Sequence, residues 1–196
     1  MTPWIDSVRS GVYFGYASLA LPPTHPDYDP STAAPAAAPS SAQQPADGTS
    51  TDQQQGTTGG GRRWHVYPMV MSIGYNPFYG NRVRSAEVHV LRRFRADFYG
   101  APLRLLVLGF VRDERGDYDG VDALVADIRR DCAVARRSLA RPAWTPHQGV
   151  VFAPAEDGEP ELGPEPERGQ VKVRGEERVS RGELDGSWLV REEEGA

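Results

Sequence analysis

Between residues 22 and 61 the chain stops carrying side chains that could build a core. The run PSTAAPAAAPSSAQQPADGTSTDQQQGTTGGG holds almost nothing large and apolar. Ordering it would cost conformational entropy without return, so residues 22–61 are expected to be a disordered, low-complexity insertion. It separates two apolar, strand-like segments, and loop-closure entropy grows slowly enough with length to allow such a swollen hairpin loop. A second stretch of this kind, EDGEPELGPEPERG, marks residues 145–196 as a largely disordered, acidic, Gly/Pro-rich tail. Within that tail only GQVKVRGEERVSRGELDGSWLV is compatible with a short hairpin. One domain over residues 1–144, interrupted once, is what remains to fold.

The foldable part reads as four strands and a helix. GVYFGYASLAL, residues 11–21, is rich in aromatic and β-branched residues, and Gly11 and Gly15 signal close backbone approach or strong curvature. WHVYPMVMSIG, residues 64–74, is the second strand, followed by the turn signals of GYNPFYGN. In residues 85–91 Ser85, Glu87 and His89 alternate with Ala86, Val88 and Val90, the period-two signature of a strand. LRLLVLGFVR, residues 103–112, is apolar on both faces, as expected of a strand with a helix on one side and a core on the other. Val121, Leu124, Val125, Ile128, Cys132, Ala135 and Leu139 then recur at helical spacing as one apolar stripe. Asp119 is placed to cap that helix, Asp122 complements its positive end, and Pro142 ends it. Four antiparallel strands in an open sheet leave edges exposed, which calls for barrel closure or a partner.

Composition narrows the function classes. A formal charge of −5 gives no general reason to expect nucleic acid or an acidic membrane as partner. The single cysteine, Cys132, rules out an internal disulfide and a cysteine-based metal cluster, and among apolar neighbours it reads as a core residue. No H-E-x-x-H, G-x-x-x-x-G-K or G-x-G-x-x-G motif occurs. No run is long enough to span a bilayer, and the N-terminus lacks the basic start and apolar core of a secretory signal. The default location is cytoplasmic, or mitochondrial if upstream sequence carries a targeting signal, and the default state is a monomer.

Glu87 is the residue on which chemistry would centre. A strand carboxylate with His89 on the same face and Arg84 just upstream can act as a general base toward a hydroxyl held within hydrogen-bond reach. The plain alternative is a solvated glutamate on a half-exposed strand, and His89 has the same two readings. The basic group Arg82, Arg84, Arg92, Arg93 and Arg95 can receive phosphate or can be ordinary solvated residues. Phe98 and Tyr99, with Tyr75, Phe78 and Tyr79, can line a planar ligand or plug the ends of a small barrel.

At these same residues the chain resembles riboflavin kinase, the fungal enzymes in particular. GVYFGYAS, VYPMVMSIGYNPFYGN, SAEVHVLRRFRADFYG and LRLLVLGFVRDE, then the helix after Asp119, occur in family order from about Gly11 to Pro142. The resemblance implies transfer of the γ-phosphate of ATP to the ribityl 5′-hydroxyl of riboflavin, giving FMN and ADP, with a divalent cation (Mg2+, Zn2+ or Mn2+). It implies a six-stranded antiparallel Greek-key barrel with a C-terminal helix. Carried over, Glu87 is the base that orients and deprotonates the attacking hydroxyl. The loop from Arg92 to Tyr99, with Arg95, Phe98 and Tyr99, helps cover the flavin. The turn at Asn76 and Pro77 shapes the nucleotide side, and Arg84 and His89 flank the base.

The family also carries an earlier strand, a glycine-rich phosphate loop and a Pro-Thr-Ala-Asn motif whose Thr and Asn help hold metal and phosphates. No Pro-Thr-Ala-Asn occurs here, and Pro23-Thr24-His25 does not match it. The expectation is an incomplete barrel lacking its first strands, with low stability, no metal ligands of the usual kind and negligible kinase activity for the chain as given, most simply from an incomplete gene model. A non-catalytic flavin binder and a protein-interaction β module are the competing readings. The first would bind flavin without turnover, and the second would bind a protein strand instead.

Overall fold

A computed structural model describes residues 4–28, 64–75, 83–115, 118–147, 149–153, 171–174 and 177–191. The body of the long insertion, residues 29–63, lies outside them, as do Asn76 and Pro77. After a helical turn, α1 (Trp4–Ser7), come strands β1 (Gly11–Leu19), β2 (His65–Gly74), β3 (Ser85–Val90) and β4 (Leu103–Arg112), then helix α2 (Val121–Leu139). The strands form one antiparallel sheet in the order β3-β2-β1-β4. Among the described residues this sheet stays open, with β3 and β4 as its edges. It is the incomplete barrel expected from the sequence, four strands and a C-terminal helix.

Alternation along β1 and β2 sorts the core onto two faces. Val12, Phe14 and Tyr16 join Val66 and Val70 under Cys132, Ala135 and Leu139 of α2. Ala17, Met69, Met71 and Ile73 point the other way, against Val88 and Leu105 of the sheet and Ile5 and Val8 of the N-terminal segment. Each such fully buried large side chain stabilises the fold by about 1.5–3 kcal/mol. Gly15 is required by close approach: a Cβ there would run into the carbonyl oxygen of Leu106 on β4. The β1–β4 register shifts beside it, between Phe14 and Gly15, and such irregularities sharpen the local twist.

Several sequence expectations change. β4 is an edge strand, and Leu103, Val107 and Phe110 on it are 39–44% exposed rather than covered by a core. The helix also turns a different stripe inward. Val121, Leu124 and Ile128 are exposed, while Asp127 and Asp131 are buried. The reason is electrostatic: Arg112 at the end of β4 and Arg115 beyond it pair with Asp131 and Asp127, so the first half of α2 packs through ions and only the second half through Cys132, Ala135 and Leu139. The N-cap is Gly120, with no side-chain cap from Asp119. Pro142 opens a short 3-10 turn, Pro142–Trp144, after the helix has ended.

The composition-based boundaries of the insertion and the tail also look different in three dimensions. Backbone order continues past Pro22 through Tyr28, in two successive turns closed by His25 N–H to Pro22 O and Tyr28 N–H to His25 O, both 2.9 Å. Beyond Thr145, strands β5 (Val150–Phe152), β6 (Val171–Arg174) and β7 (Glu177–Ser180) make a second antiparallel sheet, order β5-β7-β6, followed by α3 (Ser187–Val190). Val150, Phe152 and Leu189 enter the core beside Phe14 and Leu139. A few spaced apolar residues suffice to anchor a segment whose average composition is polar.

Candidate active site

Strand β3 pairs with β2 so that Glu87 lies opposite Ser72 and His89 opposite Val70. The alternation read from the sequence holds: Ala86, Val88 and Val90 pack into the core while Glu87 and His89 are exposed on the other face. The Ser85 hydroxyl lies 3.5 Å from Glu87 Oε1. Glu87 is thus a carboxylate on a paired strand, exposed to solvent and flanked by a hydroxyl. β3 is an edge strand of the described sheet.

Arg84 is engaged elsewhere. Its guanidinium donates to the carbonyl oxygens of Ile5 (2.7 Å), Asp6 (3.1 Å) and Val8 (2.6 Å) and to Ser10 Oγ (3.0 Å). It ties down the N-terminal segment that covers Met69 and Met71. Its place one residue before β3 is what lets it reach across.

The loop after β3 is built around aromatic rings. Phe94 packs edge-on against Phe98 with centroids 4.7 Å apart and against Tyr67 at 5.6 Å. Arg92 lies over the rings of Tyr67 and Phe94 and donates to the Tyr67 hydroxyl at 2.9 Å. Tyr99, by contrast, is 95% exposed. Arg95 is held by a residue that the sequence reading passed over. Asp27 accepts the Arg95 backbone N–H at 2.7 Å and its Nε–H at 3.0 Å, with Arg92 3.8 Å away. Burial pushes the Asp27 carboxyl up, but the Arg95 hydrogen bonds and the charges of Arg92 and Arg95 outweigh it and leave the group below its ordinary range.

The predicted residues therefore divide. Glu87 and His89 share an accessible face; Arg95, Phe98 and Tyr99 share the loop at the far end of the same strand; Arg84 sits at the near end in a structural contact. Among the described arginines, Arg92 and Arg95 meet at the Asp27 carboxylate while Arg84 lies at the other end of β3; Arg82 lies outside the described residues. Asp27 was hidden because it lies just inside a stretch whose average composition argues against order. The local signal was present in His25-Pro26-Asp27, since Pro and Asp are turn formers.

The family model described as "Flavokinase: Riboflavin kinase" matches residues 3–139, reaching upstream of Gly11. Among curated proteins, the chain is 53% identical over 194 residues to the riboflavin kinase of Chaetomium globosum, covering 98% of this chain and 74% of that protein. It is 47% identical over 191 residues to the riboflavin kinase of Pyricularia oryzae, covering 97% of this chain and 72% of that protein. The riboflavin kinase of Neurospora crassa is 47% identical over 215 residues, covering 96% of this chain and 76% of that protein.

Proposed function

Because this chain belongs to the riboflavin kinase family, we propose that it takes part in ATP:riboflavin 5′-phosphotransfer, with Glu87 as the base. The observation that carries the reading is the family match, which spans the strand presenting Glu87 to solvent. In this reaction the riboflavin 5′-hydroxyl donates a hydrogen bond to Glu87. Its oxygen attacks the γ-phosphorus, the bond to the leaving ADP breaks, and the proton passes to the carboxylate. Phosphoryl transfer depends mainly on positioning and charge stabilisation, so the carboxylate supplies only part of the rate. Among the described residues no group of three or more His, Cys, Asp or Glu side chains is arranged to hold a metal ion. A divalent cation bound with ATP would supply charge stabilisation at the transferring phosphoryl group.

The test is FMN formation from riboflavin and Mg-ATP. It compares the full chain, the chain supplied with an upstream segment bearing Pro-Thr-Ala-Asn, and Glu87→Gln in both. Turnover that rises with the added segment and is abolished by Glu87→Gln supports the reading. Full turnover in Glu87→Gln removes the base assignment. A well-folded extended chain that neither turns over nor binds riboflavin removes the function. A protein-interaction role has one observation in its favour, the open apolar edge of β4, and would show capture of a partner strand with no flavin binding.

A further inference from the structure

The first turns of the inserted segment reach across the molecule to the loop that follows β3. Two contacts make the bridge. Asp27, 5% exposed at its side chain, receives both the backbone N–H and the Nε–H of Arg95. His25, 4% exposed at its side chain, lies with Nε2 3.0 Å from the carbonyl oxygen of Ala96, while its Nδ1 accepts the Asp27 backbone N–H at 3.1 Å. A carbonyl only accepts, so Nε2 donates and the ring is the tautomer protonated there. His25 thereby orients Asp27 and grips the neighbouring residue of the same loop. Tyr28 and Leu21 pack in the cluster that holds Phe94 and Phe98.

What this bridge holds in place is unusual for a loop. Tyr99 is almost wholly exposed while Phe94 and Phe98 behind it are packed. An anchored loop that carries a large ring into solvent leaves only that ring's side-chain torsions to be ordered on stacking against a planar group, which reduces the ordering cost of binding. β3 connects this loop to Glu87 over about 13 Å of extended chain from Glu87 to Leu91.

We propose that Asp27 is a positioning residue for flavin binding: its carboxylate holds residues 92–99 in the conformation that presents Tyr99 to the planar ring system. The inserted segment is then a strut for the substrate loop at its start, whatever its remaining length does. This rests on the riboflavin reading above.

The test uses the full chain and riboflavin itself, with affinity read from quenching of flavin fluorescence and loop order from amide exchange at residues 92–99. Asp27→Asn is expected to weaken riboflavin binding about tenfold and to speed exchange in the loop while leaving α2 protected. Arg95→Ala, which alters a side chain 69% exposed, guards against simple misfolding and is expected to do the same. The double variant should weaken binding by less than the sum of the two single effects, because the Asp27–Arg95 side-chain contact is lost in both. Asp27→Glu, which keeps the charge, should recover part of the affinity. If the wild type binds riboflavin and Asp27→Asn and Arg95→Ala bind equally well, the positioning role is overturned and the function stands. If the two variants weaken binding additively, they act separately and the role is likewise overturned. If neither the wild type nor the well-folded chain extended with the Pro-Thr-Ala-Asn segment binds riboflavin, the functional reading falls and takes this inference with it.

Discussion

Arg112 and Asp131 form a two-point ion pair across the sheet–helix interface, with Nε donating to Oδ1 at 2.9 Å and Nη2 to Oδ2 at 2.8 Å. Donating hydrogen bonds to Asp131 raises the Arg112 pKa against the opposing effect of burial. Asp131 is 3% exposed, and removing it leaves the Arg112 guanidinium, 25% exposed at its side chain, without its two-point partner at the interface. Asp131→Ala should cost about 3 kcal/mol in denaturant unfolding. Combining Arg112→Met with Asp131→Leu should recover much of that loss, because the unpaired charge disappears. An Asp131→Ala chain as stable as the wild type would show that the pair contributes nothing to holding α2.

Arg84→Ala should release the N-terminal segment. The guanidinium donates to three main-chain carbonyls and a hydroxyl between Ile5 and Ser10. A loss of about 2 kcal/mol is expected, allowing for partial replacement by water. Amide exchange at residues 5–10 should speed up selectively. Unchanged exchange there, with weakened flavin binding instead, would return Arg84 to the ligand site.

Gly15→Ala forces a Cβ onto the backbone of β4 at Leu106, which cannot move aside as a side chain could. The cost should be about 3 kcal/mol or more, at the upper end for overpacking. Gly109→Ala meets only the ring of Phe14 and should be milder. Thermal melts of the two variants check the order.

Glu87→Gln should leave stability within about 0.5 kcal/mol, because Glu87 is exposed on its strand. Any turnover present should fall by about 100- to 10,000-fold. A large loss of stability instead would mean that Glu87 is structural.

The pH dependence of Asp27 has a fixed sign. Its folded pKa lies below the unfolded value of about 3.9. Its contribution is therefore fully present above that value and is lost as pH falls through the folded one. The stability difference between wild type and Asp27→Asn should shrink as pH is lowered from about 6 to about 3. A difference that stays constant over that range would mean that the Asp27 charge contributes nothing.

The β3 alternation shows what one-dimensional pattern can deliver. Period-two spacing put Glu87 and His89 on one face and Ala86, Val88 and Val90 on the other, and the structure agrees. The same method misjudged α2, because periodicity counts apolar residues and cannot see that Arg112 and Arg115 wait opposite Asp127 and Asp131. It assigned Arg84 no partner within the chain for a related reason. An arginine one residue before a strand has no sequence-local acceptor to predict, and its partners lie more than 70 residues away.

By itself, the sequence determined strands β1 to β4, helix α2, the family and the exposed carboxylate, because these depend on local periodicity and on motifs a few residues long. Tertiary structure alone decided that β4 is an edge, that Arg84 holds the N-terminus, that Val150, Phe152 and Leu189 of the tail enter the core, and that Asp27 grips Arg95. Each of these is a contact between segments far apart in the chain. Its energy exists only when the fold has brought both partners out of water together, so neither partner carries the signal alone.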